Sequence, residues 1–237
     1  MNRGATVKSL LLRFAKLFLG FVLLSAGIAF SFVAELGLSP WDVLNHGASK
    51  VMPITMGQAS IIIGLVILAY DVFSKERIGF GTFLNILCIG PLFDVIIALR
   101  LIPSAETMPG RLLLLAIGLV LVTLGMYFYM SADLGAGPRD TLMVVLTKRL
   151  PFPIGVCKLG VEMVAVALGF ALGGSVGVGT LISVVAGGPL TQFFFRLFRY
   201  DPTKRKNETM SETLQTLRAA FTKQPEGAQA QESGASL

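Results

Sequence analysis

Leu36-Gly37-Leu38-Ser39-Pro40-Trp41-Asp42 returns 98 residues further along the chain as Leu134-Gly135-Ala136-Gly137-Pro138-Arg139-Asp140. The same offset sets residues 13–96 against 111–194 without a gap. Upstream it pairs Gly27 with Gly125 and Phe30 with Phe128. Downstream it pairs Lys50 with Lys148, Pro53 with Pro151 and Gly57 with Gly155. Gly79-x-Gly81-Thr82 then meets Gly177-x-Gly179-Thr180, and Gly90-Pro91-Leu92 meets Gly188-Pro189-Leu190. Roughly a quarter of the aligned positions are identical, and many are Gly, Pro or Asp. Shared hydrophobicity pairs Leu with Val at random but does not keep helix-breaking residues in order, so the segment is a duplication.

Composition gives the setting. Mean hydropathy is +0.74, 54% of residues are hydrophobic and 14% are charged, more apolar surface than a water-soluble core hides. Six apolar runs approach or reach the length that crosses a bilayer as a helix: 15–34, 57–73, 79–99, 111–131, 155–172 and 176–198. The first is half of a repeat and too long for a cleaved signal peptide.

Lys and Arg in the connections orient the spans, because positive loops stay cytoplasmic. Arg3, Lys8, Arg13 and Lys16 precede the first span, and Arg196, Arg199, Lys204, Arg205 and Lys206 follow the last, so both termini are expected inside. Lys75 and Arg77 also mark an inner connection. Residues 35–56 carry Lys50 against Glu35 and Asp42 and read as outer. Their repeat partners at 133–154 carry Arg139, Lys148 and Arg149 and read as inner. Equivalent loops on opposite sides follow when each repeat has an odd number of spans. The net charge of +6 is thereby a matter of topology, with no nucleic-acid partner required.

Residues 40–51 and 138–149 each read as a short helix of about 18 Å at 1.5 Å per residue, too short for a hydrocarbon core near 30 Å. They are expected as re-entrant or interfacial half-helices. The expected fold is therefore an all-α polytopic membrane protein of two inverted-topology repeats. Each repeat holds three transmembrane helices and one half-helix. An N-terminus at 1–12 and repeats at 13–98 and 111–198 are joined by a connection at 99–110 and followed by a tail at 199–237.

The half-helix starts carry the chemistry. Gly ends the preceding helix, Ser39 or Gly137 stands at N-cap, and Pro at N1 needs no donor there. Asp42 and Asp140 fall in the first turns, where a carboxylate complements the positive end of the helix dipole. They read either as caps alone or as part of a site where two N-termini enter from opposite sides and hold an anion, a cation or a proton. Trp41 reads as an interfacial anchor or a pocket wall, and Arg139 as a topology signal or the partner of an anionic substrate. Glu162 lies inside the fifth span one turn after Lys158, as an ion-coupling group or a locally neutralised pair. Candidate binding residues are thus Ser39, Trp41, Asp42, Gly137, Arg139, Asp140 and Glu162. Asp94, Asn85, Gln58 and Gln192 are weaker, since inter-helix hydrogen bonds explain them equally well.

Cys88, Cys157 and the lone His46 give no metal spacing and no disulfide framework, and no phosphate loop, cofactor motif or catalytic triad is present. No enzymatic activity, metal or cofactor is expected. After Asp201-Pro202 the chain becomes basic. Residues 208–223 could form an amphipathic helix on the membrane, with Met210, Leu214, Leu217 and Phe221 on one face, and composition from Gln224 onward reads as disorder.

The run Leu17-Phe18-Leu19-Gly20, the element Gly37-Leu38-Ser39-Pro40-Trp41-Asp42-Val43-Leu44, Gly57-Gln58 and Gly79-x-Gly81-Thr82 together resemble the bacterial YczE/YyaS/YitT family, its YczE-like branch above all. The resemblance covers about residues 10–198 and implies a multi-pass protein of the bacterial inner membrane. YitT-type members add a soluble C-terminal domain, whereas this chain ends in a basic tail. The leading functional expectation is a secondary transporter or exporter of a small molecule, with an anion as one candidate, the bilayer as its surroundings and a homo-oligomer left open. The rival is a non-transporting scaffold for a partner enzyme complex, which the basic tail and amphipathic segment would serve.

Overall fold

A computed structural model describes residues 3–76, 78–152, 154–200 and 208–215, with the side chains of 3–8, 144 and 154 excepted. Among these described residues the main helices are, in chain order, α1 (Arg3–Val33), α2 (Pro40–Val51), α3 (Met56–Phe73), α4 (Phe80–Ala98), α5 (Met108–Met130), α6 (Pro138–Arg149), α7 (Ile154–Ala171) and α8 (Val178–Leu197). The described residues contain no strand. The two half-helices have the bounds expected of them. Among the described residues, five helices are long and apolar enough to cross a membrane: α1 from Ser9, α3, α4, α5 and α8. The sixth expected span is α7, a helix as long as α3 that carries Lys158 and Glu162.

α1 runs unbroken from Arg3, through the expected N-terminal stretch. Within the segment expected as an amphipathic helix, residues 208–215 lie against the bundle and form a helical turn from Met210. Met210 and Leu214 are exposed there while Thr213 is fully buried, so a polar side chain, not the apolar face, docks inward. Arg77, Lys204, Arg205, Lys206, Leu217, Phe221 and the stretch from Gln224 lie outside the described residues.

Apolar side chains face both inward and outward. Phe21, Leu17 and Leu115 are fully or almost fully buried, yet Phe73, Val66, Phe170 and Leu181 stand on the outer surface. Water would oppose so much exposed Phe, Val and Leu, whereas lipid tails accept it, so the chain is a multi-pass membrane protein.

Small residues set the central helix pair. A side chain at Gly20 of α1 would strike the Gly125 carbonyl and Tyr129 of α5, and one at Gly27 would strike Gly118 and Val122. Rising numbers on α1 thus meet falling numbers on α5, so the helices run antiparallel and touch at glycines. Around this pair the halves exchange contacts. Gly81 N–H donates to the Leu134 carbonyl at 2.8 Å, and Gly179 N–H donates to the Leu36 carbonyl at 2.6 Å. Each acceptor precedes a glycine with positive φ, Gly37 at 104° and Gly135 at 130°, angles that an L side chain resists. α2 packs on α7 and α6 on α3, so each half-helix leans on the other half of the chain.

One end of the bundle gathers positive charge. Lys148 reaches Glu76 at 2.7 Å, Arg149 donates to Ser74 Oγ at 3.1 Å, and Arg13 pairs with Glu208 at 2.7 Å. The opposite end holds the Arg111–Glu35 pair at 3.1 Å and a cavity of about 730 Å³. Ser31, Glu35, His46, Arg100, Ser104 and Ser175 give that cavity its polar lining.

Candidate functional site

α2 and α6 start alike. Ser39 (φ −63°, ψ 155°) and Gly137 (φ −62°, ψ 156°) are extended N-caps followed by proline, and neither caps the backbone through a side chain. The first-turn N–H groups therefore keep their positive field. Along α1 the two starts are offset: Ile28 lines the cleft beside Asp42, and Phe21 packs against Tyr129 beside Asp140. Seven residues of helix are about 10 Å, the offset between the two starts along α1.

The two carboxylates are held differently. Ser39 Oγ donates to Asp42 Oδ2 at 2.5 Å, and Asn45 Nδ2 donates to Oδ1 at 3.5 Å. Asp42 and Asn45 are both buried. Gly137 has no hydroxyl to offer, and the buried phenol of Tyr129, from α5, donates to Asp140 Oδ2 instead. Both aspartates are thus engaged by hydroxyl donors near their helix starts.

Arg139 lies between these groups. Its guanidinium carbon stands 5.1 Å from the Trp41 ring centroid, a cation–π contact that joins the unlike residues of the duplicated motif. The half-buried guanidinium also attracts the carboxylates of Asp42 and Asp140. Yet among the described residues its N–H groups meet no hydrogen-bond acceptor and no carboxylate within ion-pair distance. An interior arginine with unused donors is equipped to take a carboxylate or phosphate in two parallel hydrogen bonds.

Five of the expected residues therefore converge: Ser39, Trp41, Asp42, Arg139 and Asp140, with Gly137 leaving room beside Asp140 and Tyr129. Glu162 is not among them; it pairs with Lys158 at 3.7 Å, and the Lys158 ammonium in turn acts on Asp140. Asp94 accepts from Thr55 Oγ1 at 2.5 Å and from Gly57 N at 3.0 Å, holding the start of α3 to α4. Tyr129, Asn45 and Ser60 were not singled out from the sequence, and neither was Asp71, whose buried carboxylate oxygens have no hydrogen-bond partner among the described residues. Tyr129 had one available signal: the first motif has a hydroxyl at Ser39 where the second has Gly137.

A family model matches residues 11–196, covering both half-helices and the helices that carry them. The chain belongs to the family of unknown function DUF6198. It is 31% identical over 188 residues to the uncharacterized membrane protein YczE of Bacillus subtilis, covering 78% of this chain and 86% of that protein. An uncharacterized protein of Haemophilus influenzae is 33% identical over 175 residues, 74% of this chain and 79% of its own. The uncharacterized protein YyaS of Bacillus subtilis is 27% identical over 179 residues, 74% and 89% of the two chains. The resemblance to the YczE and YyaS proteins is thereby established. No solved structure matches the chain.

Proposed function

We propose that this chain is a secondary transporter of a small anion, with Arg139 and the two half-helix N-termini as its substrate site. The observation that carries the reading is Arg139: a half-buried guanidinium, flanked by two carboxylates and stacked on Trp41, whose donors meet no acceptor among the described residues. Positive helix ends and an unpaired arginine both favour negative charge in a place where lipid does not.

The architecture supports the same reading. Antiparallel α1 and α5, the reciprocal Leu36–Gly179 and Leu134–Gly81 hydrogen bonds, and the exchanged half-helices fit two inverted repeats about an axis in the membrane plane. In such proteins broken helices meet at midplane and one repeat rocks against the other. With the positive end cytoplasmic, the cavity lined by Glu35, His46 and Arg100 opens outward. Its lining includes Gly37 and Leu38, directly before Ser39, which makes it the vestibule to the site.

The test is a thermal-shift screen of purified protein against small carboxylates, phosphates and sulfonates. Hits are followed by counterflow of the labelled compound in proteoliposomes. An anion that stabilises the wild type, is transported, and loses both effects in Arg139→Gln supports the proposal. Anion protection that survives in Arg139→Gln sinks it. The scaffold reading gains nothing from residues 208–215, whose polar contacts are spent on the protein's own loops. A cut at 215 leaves that docking intact and tests the remaining tail.

A further inference from the structure

Asp42 has a second neighbourhood, whose lining does not include Arg139. There α2 packs against α3, and Asp42, Asn45, Gly57, Ser60, Gly90 and Phe93 border a cleft between α2, α3 and α4. Its interior has room for about one water molecule. Three kinds of oxygen border it, and their bonding is lopsided. Asn45 spends its amide nitrogen on Asp42 Oδ1, which leaves its own Oδ1 buried with no donor among the described residues. Ser60 makes no side-chain hydrogen bond among the described residues. A buried amide oxygen without a donor is a costly arrangement, and it points to an occupant, a water or an ion.

We propose that this cleft binds one monovalent cation of the size of Na⁺, held by the Asp42 carboxylate, Asn45 Oδ1 and the Ser60 hydroxyl. Hard cations take oxygen ligands, and all three groups offer oxygen. Only one carboxylate borders the cleft, so a single positive charge is neutralised and a second is not. Asp94, the nearest acid on α4, is turned to Thr55 and the Gly57 N–H. Asp42 is thereby shared between the cation and Arg139. An anion on Arg139 weakens the arginine's claim on Asp42 and strengthens the cation's, and by reciprocity the cation favours the anion. That coupling rests on the anion site proposed above; the cation site does not.

The experiment uses the full-length purified protein without any substrate. Its unfolding midpoint is compared in sodium, lithium, potassium and choline chloride at one ionic strength, alongside binding of radioactive Na⁺. A saturable rise with sodium over choline, weakened at least tenfold in apparent affinity by Ser60→Ala and by Asn45→Ala, is the expected result. Ser60→Ala is the mild variant, removing one oxygen atom from a half-buried position. Equal midpoints in all four salts with no displaceable Na⁺ binding overturn the proposal, as does a sodium response unchanged in both variants. Arg139→Gln separates the two readings. It should abolish anion protection and leave the sodium response in place; a sodium response lost only with Arg139 overturns the site as drawn here. Anion protection in a protein indifferent to sodium defeats the cation site alone.

Discussion

Helices α3 and α4 and their counterparts α7 and α8 come from the same duplicated sequence, yet they pack in opposite ways. In the first pair Gly57 and Gly90 lie backbone to backbone, and a side chain on either would strike the other's carbonyl. Gly64 adds a second approach, with Ile86 only 3.2 Å from where its Cβ would be. In the second pair the equivalent Gly155 and Gly188 have nothing within 4 Å of a Cβ position. The repeat keeps the glycines but changes their neighbours: Ser60 becomes Lys158 and Gly64 becomes Glu162. Two charged side chains thus stand where the first pair has small ones. A retained glycine therefore permits a close contact without causing one. On the transporter reading, one closed and one open pair is how a single moving unit looks when its two copies occupy different states.

The largest expected effect tests whether the comparison is between inverted copies at all. In a background without Cys88 and Cys157, single cysteines replace Val51 and Leu150, exposed residues at the ends of α2 and α6. A membrane-impermeant thiol reagent on intact cells should label position 51 and spare position 150. Labelling of both positions would mean parallel copies, and would remove the geometric basis for alternating access.

Next comes the packing difference itself. Gly90→Ala forces the Gly57 and Gly90 backbones apart and should destabilise by about 1–3 kcal/mol, the usual range for overpacking. Gly188→Ala meets open space and should be close to neutral. Unfolding midpoints of the two purified variants decide the matter; equal losses would mean that α7 and α8 also close on each other in the membrane.

The half-helices were legible because their signals are local. Pro40 and Pro138 fix a first turn, Gly37 and Gly135 supply the positive φ before it, and too few residues follow to cross a bilayer. The duplicated motif also pointed to Trp41 and Arg139 as the place of specialisation, and the structure stacks them on each other. What escaped was everything that depends on a second helix. Tyr129 lies 11 residues before Asp140 on a different element, and in sequence it is one more aromatic at the end of an apolar span. Asn45 and Ser60 gain meaning only where α2 meets α3. The docking of Glu208 was hidden for another reason: its partners are Arg13 and the Asp133 carbonyl, 195 and 75 residues away, and the amphipathic pattern of 208–223 points to a membrane surface rather than to the bundle.

A smaller effect separates the two carboxylates. Tyr129→Phe removes the hydroxyl that holds Asp140, and should cost about 1–2 kcal/mol, the scale of an interhelical hydrogen bond in membrane proteins. Ser39→Ala removes the equivalent bond from Asp42, but Asn45 Nδ2 remains as a second donor, so its cost should be the lesser. If Ser39→Ala proves the more damaging in urea or thermal unfolding, the Asn45 contact at 3.5 Å is not holding Asp42.

The smallest expected difference concerns a pair of arginines that the duplication also relates. Arg13, within α1, and Arg111, in the first turn of α5, stand at opposite ends of the bundle. Arg111 pairs with Glu35, whose side chain is 68% exposed, and donates to the Ala105 carbonyl at 3.2 Å. Solvent screens such a pair, so Arg111→Ala should cost between zero and about 1 kcal/mol. Arg13 is better enclosed and divides three bonds among the Ala132 carbonyl at 2.8 Å, the Asp133 carbonyl at 2.9 Å and Glu208. It ties three segments together, because Glu208 N–H donates to the same Asp133 carbonyl and Met210 N–H to the Ile78 carbonyl. Removing it frees residues 208–215 as well as the α5–α6 turn. Arg13→Ala should therefore lose more stability than Arg111→Ala, and it should expose the tail to added protease in inside-out vesicles while the wild type resists. Equal protease resistance in both variants would show that the backbone bonds at Asp133 and Ile78 hold the tail unaided, and that the arginine serves the turn alone.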